Sequence, residues 1–153
     1  MSILTQDELR TLKAQFKKEL KKDITINLFS VRTSGLLILP GRECPTCPQA
    51  QALLEEVVAA TPKLSLEVYD FYTQPETAQI QGVDRVPCIT FSSTEKTYSN
   101  LKYYGTPTGF EFATLLQDIT VISRSVSPLQ VPTRKALRKL DKDLHIQVFV
   151  TPG

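Results

Sequence analysis

Cys44-Pro45-Thr46-Cys47, with Val86-Pro87 about forty residues further on, constrains this chain more than any other feature. Two cysteines separated by two residues can close a small disulfide ring, and the residues that follow them have helical spacing. At the start of a helix the unpaired backbone N–H groups and the dipole favour a thiolate over a thiol. The first cysteine's pKa is then expected to fall from its free value of ~8.5 towards ~7 or below. Residue type and position together point to thiol–disulfide exchange. Cys44, just ahead of the helix and partly exposed, is the expected attacking thiol; Cys47, one turn inward, is the expected resolving thiol.

The chain has 153 residues, enough for one domain of ordinary size with a core of its own. Hydrophobic residues make up 41% and charged residues 22%, a globular balance that argues against disorder. A net charge of +2 is too small to imply nucleic acid, and Lys17, Lys18, Lys21 and Lys22 read as the solvated side of a helix. No apolar run approaches the ~20 residues of a membrane span. Met1-Ser2-Ile3-Leu4 followed by a charged helix lacks the apolar stretch of a signal peptide, so the expected location is cytoplasmic. Three cysteines there are too few for a disulfide scaffold.

Periodicity supplies the elements. Thr5 to Lys22 reads as an amphipathic helix, with Thr5 and Glu8 as a capping box. Ile24 to Val31 is a strand, Thr33-Ser34-Gly35 a turn, and Leu36 to Leu39 a second short strand. A helix is expected from Pro45 to Ala60, with Pro45 and Pro48 both in its first turn. Leu64 to Phe71 is a strand, and Pro75 to Gln81 a short helix stopped by Gly82. Cys88 to Ser92 and Thr97 to Tyr104 form an antiparallel pair; Thr108 and Glu111 signal a capping box opening a helix through Phe112, Leu115, Leu116, Ile119 and Ile122. This order describes an α/β chain of thioredoxin-like fold, a mixed β-sheet flanked by helices with an inserted β-hairpin. Beyond it, Ser123 to Val131 is a polar link, Thr133 to Leu140 a basic helix and Leu144 to Val150 a strand. There "LDKDLHIQVF" echoes the earlier "LKKDITINLF", so the end of the chain reads as a partial second unit.

Other residues near the pair leave alternatives open. The cysteines could instead form a buried staple or half a zinc site, for which the remaining donors are Cys88, His145 and carboxylates. Pro87 either starts a strand or is cis, turning the backbone of Val86 outward to pair with an extended substrate. Cys88 reads as a small buried hydrophobe or a third thiol. Arg42 would stabilise a Cys44 thiolate and Glu43 would oppose it, unless both are solvated loop charges. Asp70 is either a buried proton acceptor or a solvated or capping group. Gly105 and Gly109 serve a turn.

"ECPTCPQAQALLEEV", "LEVYDF", "VDRVPCITF" and "YYGTPTGFEFATLLQDI" together resemble the N-terminal unit of the archaeal and bacterial protein disulfide oxidoreductases, also called glutaredoxin-like proteins. The N-terminal domain of the alkyl hydroperoxide reductase flavoprotein is a more distant likeness. The resemblance spans about Asp7 to Pro152. It implies two thioredoxin folds in tandem and action on protein disulfides, with Cys44 as nucleophile, Cys47 as resolver and Pro87 as the cis-proline. Glu43 stands where ordinary thioredoxins carry tryptophan, and the strand-turn-strand from Val31 to Leu39 resembles an insertion. The family's second "TP-x-C-x-x-C" would begin at Thr151-Pro152, where this sequence stops, so it reads as a piece of a two-unit protein or a one-site descendant.

The expectation is therefore a cytoplasmic protein-disulfide oxidoreductase. Residues 1–125 form the thioredoxin-like unit and 126–153 a linker, helix and strand resembling the start of another. Cys44 and Cys47 are catalytic, Val86 and Pro87 bind substrate, and Pro45 and Thr46 form the active-site loop. Its partners would be protein disulfides and an external, thioredoxin-reductase-like enzyme, with no cofactor, metal, nucleic acid or membrane. The unpaired edges of Leu144 to Val150 suggest a homodimer paired through that strand. Competing classes are a non-catalytic docking or dimerisation module and a metal or iron–sulfur carrier.

Overall fold

The strand Ile24–Ser30 (β1) holds the molecule together, because both its faces are covered and both its edges are paired. The computed structural model describes residues 3–32 and 40–151. Its remaining elements are the helix Gln6–Glu19 (α1), helix Cys47–Val58 (α2), strand Leu64–Asp70 (β2), helix Pro75–Ile80 (α3), strand Cys88–Ser93 (β3), strand Thr97–Tyr104 (β4), helix Phe110–Arg124 (α4) and helix Val131–Leu137 (α5). The sheet runs β2-β1-β3-β4. β1 lies parallel to β2 and antiparallel to β3, and β3 and β4 are antiparallel with a register shift between Ile89 and Phe91.

The period-2 alternation of β1 explains how two layers form. Ile24, Ile26 and Leu28 join one apolar cluster with Leu12 and Phe16 of α1, Leu53, Leu54 and Val57 of α2, and Leu115 and Ile119 of α4. Phe16 is fully buried there, worth about 1.5–3 kcal/mol relative to an exposed ring. The opposite face carries Phe29, which joins Ala78 of α3, Val83 and Cys88 in a smaller cluster and stacks on Tyr69 at 5.2 Å. Asn27, also buried, donates from Nδ2 to the hydroxyls of Thr90 and Ser92 at 3.3 Å each. The amide is therefore buried without the cost of unmet hydrogen bonds.

Local chemistry fixes the ends of α1. Thr5 and Glu8 make the expected capping box. At the other end the fully buried Ser123 of α4 accepts from the amides of Lys21 and Lys22 at 2.9 Å and donates to the Lys22 carbonyl at 2.7 Å. α1 and α4 are thereby tied together over the same face of the sheet.

Several expectations require correction. α2 begins at Cys47, not Pro45, and Pro48 rather than Pro45 occupies its first turn. Thr108 does not cap α4; Gly109, at φ 61°, stands immediately before the helix and leaves Thr108 one residue too early. The basic helix covers Val131–Leu137 instead of Thr133 to Leu140. No strand forms over residues 144–150, whose Ile146, Val148 and Phe149 are 80–90% exposed. A strand needs a neighbour to receive its backbone groups, and no edge of the four-stranded sheet reaches this segment. The inserted hairpin from Val31 to Leu39, with its strand Leu36 to Leu39, falls largely on residues 33–39 and lies outside the described residues.

Candidate active site

A single hydrogen bond, from the Cys47 amide to the Cys44 carbonyl at 3.2 Å, turns the chain into α2. Pro45 occupies the second position of that turn, which its fixed φ suits. The first helical bond then runs from the Ala50 amide to the Thr46 carbonyl at 3.0 Å. Pro48 has no N–H, but at this position none is needed for the helix ladder. The C-P-T-C segment is thus a turn followed by a helix start.

Cys44 and Cys47 are joined as a disulfide, with Cα atoms 5.4 Å apart. Cys44 is 8% exposed and Cys47 1%, so the expectation of a partly exposed Cys44 is too generous. The turn folds Cys44 back against the helix mouth and leaves Pro45 and Thr46 as the exposed rim. The order still holds: of the two sulfurs' residues, Cys44 is the more accessible. Because the turn also places Cys47 at the first helical position rather than one turn inward, both residues lie within the region where the dipole acts.

The Val86–Pro87 peptide bond is cis. Val86 is half-buried, and neither its N–H nor its carbonyl takes a hydrogen bond among the described residues. Two consecutive residues of the β4–α4 loop bring this segment to the cysteines. The Gly105 amide donates to the Pro87 carbonyl at 2.9 Å, and the Thr106 hydroxyl donates to the Thr46 carbonyl at 3.3 Å. Gly105 sits at φ 91°, a conformation glycine adopts without a Cβ penalty. The composition of the chain gave no reason to single out Thr106; only its place in "YYGTPTG" hints at it.

Arg42, two residues before Cys44, has a specific partner. The Arg42 guanidinium lies 4.6 Å from the centroid of the Tyr72 ring, so it is anchored to the β2–α3 turn instead of standing free in solvent. That turn is organised by Asp70. Its carboxylate accepts from the amides of Arg32, Tyr72 and Thr73 at 2.9–3.0 Å. Burial pushes the Asp70 pKa up, but these backbone donors outweigh it and hold the group below the usual carboxylate range. Asp70 is a turn staple, and its hydrogen bonds are directed at the backbone, not at the cysteines.

On the other side of the site, Asp84 forks onto Arg85, Oδ1 to Nε and Oδ2 to Nη2 at 3.1 Å each. Arg85 stacks 5.0 Å from the centroid of the Tyr104 ring. Bonding from Arg85 and then from the Tyr104 hydroxyl lowers the Asp84 carboxyl to about 2. Cys88 is free and fully buried, and burial pushes its thiol up to about 12. It packs as a small hydrophobe. Among the described residues no group of three or more His, Cys, Asp or Glu is placed to hold a metal ion, and His145 lies in the exposed C-terminal segment. A groove of about 570 Å³ lies elsewhere, between α1 and α4, and shares no residue with the cysteine site.

No protein-family model matches the chain, and no curated protein matches it. Solved structures do. The NTD_N/C domain of alkylhydroperoxide reductase AhpF from Enterococcus faecalis is similar at a TM-score of 0.75 and 20% identity, covering 91% of this chain and 62% of that one. A protein disulfide oxidoreductase from Aeropyrum pernix is similar at a TM-score of 0.73 and 22% identity, covering 89% of this chain and 55% of that one. The chain therefore spans less than two thirds of the length of either. Both likenesses, with the mixed four-stranded sheet, show a thioredoxin fold.

The Asp70 staple generates a stability prediction. Because its native pKa is depressed, its contribution is complete above the ordinary carboxylate pKa and disappears as pH falls through the native one. Asp70→Ala should cost about 1 kcal/mol near neutrality by removing the acceptor of three part-buried backbone amides. Urea titrations at several pH values should show the parent and variant converging in strong acid. Equal stability of the two at pH 7 would refute the assignment.

Proposed function

We propose that this chain is a thiol–disulfide oxidoreductase that reduces or exchanges protein disulfides through a Cys44–Cys47 dithiol/disulfide cycle. The observation that carries this reading is the closed Cys44–Cys47 pair at the mouth of α2, bound through one short loop to a cis-proline segment. In the reductive direction the Cys44 thiolate attacks one sulfur of the substrate disulfide. The substrate S–S bond breaks, a mixed disulfide forms, and the other substrate sulfur leaves as a thiolate that takes a proton from water. Cys47 then loses its proton to solvent and attacks the Cys44 sulfur, which re-forms the Cys44–Cys47 bond and expels the second substrate thiol. Two electrons have passed to the substrate. An external dithiol reductase, of thioredoxin-reductase type, returns them; the cycle calls for no cofactor on this chain.

In this reading Val86 and Pro87 receive the substrate. The unpaired N–H and carbonyl of Val86 are available to an extended segment, which would add to the sheet as a short strand does. Pro45 and Thr46 form the exposed lip over the sulfurs. A reducing cytoplasmic setting suits a cycling dithiol, and no helix among the described residues is long and apolar enough to cross a membrane. The reading predicts that Cys44→Ser reduces the insulin turbidity rate with dithiothreitol to the buffer background, while Cys47→Ser accumulates a mixed disulfide visible by non-reducing electrophoresis. A Cys44→Ser protein as active as the parent would sink it.

The exposed Leu144, Ile146, Val148 and Phe149 support a further part of the same proposal, self-association of the chain through residues 144–150. An apolar row this exposed favours burial against a second copy, and antiparallel pairing would satisfy its backbone. Light scattering on the full chain should give a mass above that of the monomer, returning to the monomer value in an Ile146→Lys, Val148→Lys double variant. A parent that stays monomeric as concentration rises contradicts it.

A further inference from the structure

The cis-proline segment is bracketed by the end of β4, and the bracket is built from side chains that the thiol chemistry does not use. Cys88, directly after Pro87, is the register partner of Tyr104 in the β3–β4 ladder. Gly105, directly after Tyr104, donates its amide to the Pro87 carbonyl at 2.9 Å. These two backbone contacts hold the chain on the C-terminal side of Val86. On the N-terminal side the hold comes from side chains. Asp84 grips Arg85 through two bonds of 3.1 Å, and Arg85 lies over the Tyr104 ring at 5.0 Å. Tyr104 is thus the residue common to both halves of the bracket.

We propose that Tyr104 is a positioning residue for protein substrates: by anchoring Asp84 and Arg85 ahead of Val86 it fixes the backbone edge on which an extended substrate segment pairs. This inference rests on the oxidoreductase reading and deepens it. The Asp84 and Arg85 side chains are each about two-thirds exposed, 64% and 66%. An exposed ion pair between sequence neighbours cannot by itself restrain the backbone they share. Stacking one member on a ring carried by the neighbouring strand does restrain it, because the ladder fixes the backbone from which that ring projects. Val86 is then presented with its N–H and carbonyl unpaired and at a fixed orientation. Orientation of this kind lowers the entropy lost on docking and affects binding more than the sulfur chemistry.

A substrate without a peptide backbone has nothing to pair with Val86, and this supplies the control. Steady-state reduction of insulin and of bis(2-hydroxyethyl) disulfide is compared for the parent, Tyr104→Phe and Tyr104→Leu. Tyr104→Phe keeps the ring beneath Arg85 and loses only the hydroxyl, so it folds if the ladder folds; Tyr104→Leu removes the platform. Tyr104→Leu should raise KM for insulin about fivefold with little change in kcat, lowering the insulin-to-small-disulfide ratio of kcat/KM by about the same factor, and Tyr104→Phe should fall between it and the parent. An unchanged ratio in both variants, with a parent active on both substrates, overturns this inference alone. A parent that reduces neither substrate overturns the oxidoreductase reading, and this inference with it.

Discussion

The turn from Cys44 to Cys47 is the constraint on which the rest of the site depends. Its one backbone hydrogen bond decides where α2 begins, and therefore which groups stand at the positive end of a 12-residue helix. Had α2 begun at Pro45, Cys47 would lie inside the helix and Cys44 alone would face its end. With the turn in place both cysteines stand within the dipole's reach, and Thr46 directs its carbonyl to Thr106. That contact, preceded in the adjacent residue by the Gly105 bond to Pro87, converts three separate loops into one surface. The sheet supplies the rigid base: β1 is fixed on both edges, and β3 leaves it carrying the cis-proline at its start.

Charge of both signs stands around the site, and there only Asp84 and Arg85 form a salt bridge among the described residues. Arg42 and Arg85 are each held over a tyrosine ring, Tyr72 and Tyr104, on opposite sides of the cysteine loop in sequence. Asp70 and Asp84 set the backbone and side-chain geometry of those two anchors. Among the described residues the hydrogen bonds of both carboxylates go to other groups than the cysteine pair. Stabilisation of a Cys44 thiolate therefore falls mainly to the helix N-terminus, with Arg42 tethered two residues away.

Much of this was legible from residue order. The alternation of Ile24, Ile26 and Leu28 against Asn27 and Phe29 gives β1 two buried faces, and the structure fills both. The capping box of Thr5 and Glu8 marks the start of α1, and Gly82, at φ 61°, stands just past α3. What escaped the sequence depends on competition between neighbours or on contacts distant along the chain. Two prolines three residues apart both suit a first turn, and only the Cys44–Cys47 hydrogen bond chooses between them. Gly109 outcompetes Thr108 for the position before α4 because it tolerates positive φ. The strand pattern of Leu144 to Val150 is strong, yet a pattern specifies a strand only where an edge exists to receive it. Stacking of Arg42 on Tyr72, 30 positions on, has no local sequence signal at all.

The claim beneath all of this is that the mouth of α2 makes one sulfur an unusually good anion. Alkylation of the reduced protein by iodoacetamide, followed as a function of pH with Cys44 identified by mass spectrometry, measures that directly. A reactivity midpoint at about pH 7 or lower is expected for Cys44; a midpoint at or above the free-thiol value of ~8.5 would mean that the helix mouth does not stabilise its thiolate.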